Sequence, residues 1–203
     1  MKKSIIVGLF AITLLFCITT GCLSENTRPA SVTETEINNK AISAIINNYA
    51  ERNFLPGEIT SEEIDVIIEA AVRSPSARNG QPWHFTVVQK DKTLAKNIIS
   101  NTKNGSIIVV ISGKGDGKTN TSVILDCALA TENIYLAAQS LGLGSRILTG
   151  PVDSINSKYK KDLGLPDGYN AVATVLIGRI EQPVDAESSA SRRKPAEEIV
   201  SFK

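Results

Sequence analysis

The stretch from Thr121 to Leu141 limits the fold more than any other part of the chain. Val123, Ile124, Leu125, Ala128, Leu129, Ile134, Leu136, Ala137 and Leu141 fall on every face of the helix that their spacing predicts. A helix of that kind has no face to give wholly to water, so it must lie at the centre of a domain or against a partner chain. The other elements have to be arranged around it.

Those elements can be read in order. Ile37, Ala41, Ala44 and Ile45 keep helical spacing between Glu36 and Arg52, which predicts a first helix ending near Asn53. A second helix starts at a capping box, Thr60 with Glu63, and repeats Ile64, Ile67, Ile68 and Ala71 along one face. Ser74-Pro75 stops it, because a residue before proline disfavours the helical region. Trp83 to Gln89 and Ser106 to Ser112 read as strands on either side of a short helix, Leu94 to Ser100. Arg146 to Thr149 and Ala171 to Ile180 are two further strand candidates, with Gly142 to Gly144 and Pro166 to Gly168 as punctuation. Helices, strand, helix, strand, long helix, strand, helix, strand is the order of an α+β or α/β layered domain.

The N-terminus reads as a targeting segment. Lys2 and Lys3 precede an apolar run from Ile5 to Ile18, and Thr19, Thr20 and Gly21 lead to Cys22. The run is shorter than the roughly 20 residues a spanning helix needs. It resembles a bacterial or archaeal lipoprotein signal with lipidation at Cys22, although Thr19 stands where that pattern prefers Leu. Simple cleavage and an uncleaved anchor are the alternatives, and all three place the body in the cell envelope, outside the cytoplasm. Residues 23–35 read as a polar tether. The domain then runs over 36–203.

Several function classes drop out. Of the three cysteines, only Cys127 remains in the mature body, where it reads as a small buried hydrophobe. One His and one thiol cannot assemble a metal site, so no metal is expected. A net charge of +1, with no basic stripe carrying interleaved aromatics, gives no reason to expect nucleic acid. Ser112 to Thr119 sits between strand and helix as a P-loop would. However, Gly113 and Gly117 enclose three residues where a P-loop needs four, so an exposed flexible loop is the expectation. His84 reads as structural, and Arg78 as a surface charge with a substrate-facing role left open.

The segment with chemistry in it is Arg73 to Phe85. Two prolines, Pro75 and Pro82, fix φ, while Ser76, Asn79 and Gln81 bring short polar groups into a loop between helix and strand, which can hold a planar hydrogen-bonding ligand. The string Pro75-Ser76-Ala77-Arg78-Asn79-Gly80-Gln81-Pro82-Trp83 resembles the signature loop of the FMN-dependent nitroreductase family. The similarity extends through Asp126, Asn133 and Leu141-Gly142-Leu143-Gly144, through Leu148-Thr149-Gly150 and Leu163-Gly164-Leu165-Pro166, and into the tail Arg192 to Val200.

That resemblance implies a nitroreductase-like fold, with a mostly antiparallel central sheet flanked by helices and a long buried central helix. It also implies a homodimer with flavin at the subunit interface, and an oxidoreductase that passes hydride or electrons through FMN to a small organic acceptor such as a nitroaromatic or quinone. Related flavoproteins also remove halogens reductively. Carried over, Pro75, Ser76, Ala77, Asn79 and Gln81 would meet the flavin, Thr149 and Gly150 would approach its ring from the other side, and Arg193, with Arg192, would bind its phosphate. No side-chain catalyst is expected, because the flavin carries the chemistry. The family's opening Arg-Arg-Ser-x-Arg-x-Phe appears here as Asn48-Tyr49-Ala50-Glu51-Arg52-Asn53-Phe54, keeping only Arg52 and Phe54. A flavin-binding lipoprotein that has lost turnover is the alternative this departure raises.

Overall fold

The computed structural model describes residues 40–181 and 193–203. Cys22, Arg192, the targeting segment and the tether lie outside them. Among the described residues no helix is long and apolar enough to cross a membrane.

Strands β1 (Trp83–Val88), β2 (Ile107–Lys114), β3 (Gly144–Leu148) and β4 (Tyr169–Gly178) form one sheet in the order β1-β2-β4-β3. Every pairing is antiparallel, with Trp83 opposite Gly113, Ile107 opposite Ile177, and Leu148 opposite Thr174. The sheet is covered on both faces, and β2 shows this residue by residue. Ile107, Val109 and Ile111 join one apolar cluster, whereas Ile108 and Val110 join the other. All five are fully buried, and each contributes about 1.5–3 kcal/mol relative to exposure.

The first cluster packs against α2 (Ser61–Val72) and α4 (Thr121–Ser140), through Ile67, Ala71, Cys127, Ile134 and Ala138. The second packs against α3 (Lys92–Ile98) and the segment that starts with α5 (Val152–Ser154) and continues as a wider turn over Ile155–Tyr159. The Thr60–Glu63 capping box at α2 is present in both directions. Glu63 also pairs with Arg179 at 2.7 Å, fastening the start of α2 to the end of β4 and holding its own carboxyl below the usual carboxylate range. A short helix α6 (Ala196–Ile199) lies near the C-terminus.

Two expectations change. The first helix, α1 (Lys40–Ile46), stops seven residues before Asn53. The chain is drawn off it because the Glu51 N–H donates to the Ser145 carbonyl at 3.0 Å and Leu55 bridges to Arg179, so the segment adds to the edge of the sheet. The turn after β2 is exposed as expected, but it is organised. The Asp116 carboxylate accepts from the Lys118 and Thr119 N–H groups and the Thr119 hydroxyl, which lowers its pKa to about 2.

The long helix is also less uniformly buried than its composition suggests. Asp126, Cys127, Ala130, Thr131, Ile134 and Ala138 face the domain, while Leu125 is 58% exposed and Leu129 45% exposed. Of the two placements the sequence allows, the central one holds for one face, and the other face is left largely apolar and uncovered within the single chain.

Candidate functional site

The loop after α2 is held by polar side chains of α4. Asn133 donates through Nδ2 to the Ala70 carbonyl at 3.1 Å and to Ser74 Oγ at 2.8 Å, fixing the end of α2 and the loop's entrance. Seven residues earlier on the helix, the buried Asp126 carboxylate accepts the Ala77 N–H at 3.0 Å. Within the loop, Ser76 Oγ accepts the Gln81 N–H at 3.1 Å, and the Gln81 amide donates to Asn79 Oδ1 at 3.2 Å. The Lys114 N–H donates to the Pro82 carbonyl and closes the exit against β2.

These ties hold a costly backbone. Arg78, Asn79 and Gln81 have φ of 54°, 54° and 44°. Left-handed conformations cost non-glycine residues roughly 1–2 kcal/mol each, and such strain persists only where the surroundings over-determine it. The cost is least at Asn79, whose side chain tolerates this region. Pro75, Ala77, Asn79 and Gln81 are exposed and Ser76 half-buried, so the loop presents a rigid polar edge at the surface.

The other proposed contacts lie elsewhere in the chain. Leu148 ends β3 at the level of Thr174, Val110 and Thr86, so Thr149 and Gly150 leave toward the same end of the sheet as the loop but from the opposite edge strand. Three strand spacings, at least about 14 Å, separate them from the loop. Both are exposed, and a Cβ built on Gly150 would meet nothing within 4 Å.

Arg52 is at the far end of β3, because its neighbour Glu51 is bonded to Ser145. Arg193 lies close enough to Tyr135 to act on its phenol, and the Tyr135 hydroxyl donates to Asn48 Oδ1 at 3.4 Å. Tyr135 thus links Arg193 to the segment that carries Arg52, and both arginines are exposed. Burial, and only then the nearby Glu51 carboxylate, pushes the Tyr49 phenol in that segment above its ordinary pKa.

A single chain thus assembles the predicted residues into three places, not one pocket. A cavity lined by Gln89, Lys92, Lys103 and Ser106 offers only about 10 Å³, room for one water. The His84 ring sits edge-on to Tyr169, and its Nδ1 is buried without a hydrogen-bond partner among the described residues. Cys127 is buried, and that burial, with Asp126 beside it, pushes its thiol up to about 12. No cluster of three metal-ligating side chains occurs among the described residues.

Sequence reasoning missed the anchoring roles of Asp126 and Asn133. Their signal was available, since both are polar residues in a helix otherwise read as apolar, but their partners lie 49 and 59 residues away.

Comparison with known proteins identifies this layered antiparallel domain with its strained, helix-anchored polar loop. The family model described as the nitroreductase family matches residues 47–105 and 100–179, and the chain belongs to that family. A protein of Archaeoglobus fulgidus, named provisionally as an NADH dehydrogenase/NAD(P)H nitroreductase, is 30% identical over 165 residues, covering 77% of this chain and 94% of its own. An FMN-dependent nitroreductase from Clostridium difficile superposes with a TM-score of 0.60 at 26% identity, over 73% of this chain and 94% of its own. A nitroreductase with bound FMN from Bacteroides fragilis shares the fold with a TM-score of 0.63 at 22% identity, over 81% and 100%.

Proposed function

We propose that the protein is an FMN-dependent oxidoreductase of nitroreductase type that takes reducing equivalents from NAD(P)H and delivers them to a small organic acceptor, a nitroaromatic or a quinone. The observation that carries this reading is the Ser74–Gln81 loop, strained at three residues and pinned by Asp126 and Asn133. Solved relatives that bind FMN support the cofactor, and the Archaeoglobus relative's name supports the donor.

The residues present fit FMN. When bound, the flavin supplies the hydride-accepting and hydride-donating chemistry, and the protein's part is to hold and orient it. Pro75, Ser76, Ala77, Asn79 and Gln81 would line its ring and side chain, and Thr149 and Gly150 would meet the ring's other side. Arg52 and Arg193, with Arg192, would pair with its phosphate, for which guanidinium forks are suited.

Because those groups occupy separate places in one chain, the reading requires a homodimer that sets the loop of one copy against Thr149, Arg52 and Arg193 of the other. The uncovered stripe of Leu125, Ala128 and Leu129 on α4, with Val66 and Val72 exposed on α2, is the surface we assign to that contact. We also retain lipidation of Cys22 and placement in the cell envelope, on the strength of the N-terminal pattern alone. NAD(P)H is a cytoplasmic reductant, so NAD(P)H is the donor proposed for the isolated protein, and in the envelope a membrane or envelope reductant would take its place.

The departure at Asn48-Tyr49-Ala50 favours one second reading, a family member that keeps the scaffold and has lost turnover. Visible absorption of the protein with and without added FMN, followed by addition of NADH and a nitroaromatic, separates the two. Bound flavin whose bleaching by NADH is reversed by the acceptor supports the enzyme. Protein that remains colourless at saturating FMN supports the scaffold.

A further inference from the structure

We propose that Arg78 selects acceptors that carry a negative charge, a reading that rests on FMN binding at the loop described above. Arg78 stands between two residues assigned to the flavin, Ala77 and Asn79, at a φ of 54°. Glycine or asparagine would hold that conformation at less cost than a long side chain. No ion pair or side-chain hydrogen bond of Arg78 among the described residues offsets that cost. Its side chain is exposed and enters none of the ion pairs or side-chain hydrogen bonds among the described residues, whereas the nearby Arg73 is paired with Glu69 at 2.7 Å.

Three carboxylates already have partners. Asp126 is buried and accepts the Ala77 N–H, and Asp116 caps its own turn with Thr119 and Lys118. Asp153 is engaged by Lys118 at 3.4 Å. A second cation, Lys114, is exposed beside the loop's exit, where its N–H reaches the Pro82 carbonyl, and it likewise has no ion-pair partner among the described residues. Two cations without an ion pair among the described residues thus flank a rigid loop, and the guanidinium is the one suited to a planar carboxylate or sulfonate through paired N–H donors. The acceptor class this points to is a small aromatic carrying an acidic substituent.

The experiment compares 4-nitrobenzoate with 4-nitrobenzamide, two acceptors of similar shape that differ by one charge, using the FMN-loaded protein and NADH. The ratio of kcat/KM for benzoate over benzamide is expected to fall on the order of 10-fold in Arg78→Gln, through KM, as loss of a charge-assisted hydrogen bond implies. Arg78→Lys should recover part of the ratio, and Lys114→Gln should lower it less. Binding of benzoate itself, read from the shift of the flavin absorption band without turnover, should weaken by a similar factor in Arg78→Gln. An unchanged ratio together with unchanged benzoate binding overturns the proposal while leaving the flavin reading intact. Equal losses on both acceptors overturn it as well, because Arg78 would then serve the flavin site and not selectivity. Absence of bound flavin in the unmodified protein overturns the underlying reading, and this inference with it.

Discussion

Two stretches of the helix Thr121–Ser140 do opposite things with their polar groups. From Asp126 to Asn133, these two side chains reach across to Ala77 and Ser74 and use their hydrogen bonds to hold a strained loop open to solvent. Toward the C-terminal half, Gln139 donates to the Tyr49 carbonyl at 3.0 Å and to Ser145 Oγ at 2.9 Å, and the Tyr135 hydroxyl donates to Asn48. There the polar side chains are consumed in fastening one segment of the chain to another, and Glu51 likewise turns its carboxylate back onto the Arg52 and Asn53 N–H groups. The first stretch keeps the family's pattern and is built to present polar edges outward. The second has replaced it, and under the proposed function Arg52 and Arg193 would be the described cations that meet the flavin phosphate. Ring recognition and phosphate recognition would then change independently, with the phosphate half setting the affinity.

The largest break expected is at the surface the halves share. Leu125→Asp with Leu129→Asp alters side chains that are exposed in the single chain, so the fold should survive by circular dichroism. Light scattering should show a monomer, and FMN affinity should fall by about 100-fold or more, since each copy then lacks part of its site. A dimer that persists in this variant would remove the helix stripe from the interface.

Next comes the loop anchor. Asp126→Ala leaves the Ala77 N–H without its acceptor, which costs about 1–3 kcal/mol and should weaken FMN on the order of 10-fold by fluorescence titration. Asp126→Asn keeps an acceptor oxygen and should lose much less. Equal losses in the two would mean that the charge, not the hydrogen bond, matters.

The phosphate half can be sharpened in the other direction. Asn48→Arg with Ala50→Ser restores two of the three residue types that depart from the family's opening, and a recovered charge-assisted bond should tighten FMN on the order of 10-fold. No gain would show that the connections of Gln139 and Glu51 have closed that surface.

The smallest effect is on stability at high pH. The Cys127 thiol is raised from 9.0 to about 12 by burial and then by Asp126, so the folded chain keeps a proton that the unfolded chain gives up across that window. Stability should therefore fall as pH rises from about 9 toward 12. Cys127→Ala should flatten part of that slope in urea midpoints measured at successive pH values.

How much of this was legible in the sequence follows from how local each feature is. The Thr60–Glu63 capping box was readable because its partners are three residues apart, and the long helix was placed to within a residue of its end. The first helix was overextended, because what ends it is a hydrogen bond to Ser145 on a distant strand. The signature loop was recognisable by its residues, but its left-handed backbone at Arg78 was not, since nothing about arginine favours φ > 0. Cys127 could be read as a buried hydrophobe from its apolar helix, whereas the ties from Asp126 and Asn133 needed the fold.

One titration bears on the central claim more directly than any other: FMN binding followed by flavin absorption, with the mass of the same samples taken by light scattering across protein concentration. The account predicts one FMN per chain, held by a dimer, with affinity that weakens as dilution dissociates the pair. Tight FMN binding by a monomer, or a dimer that takes up no flavin at saturating FMN, would contradict it.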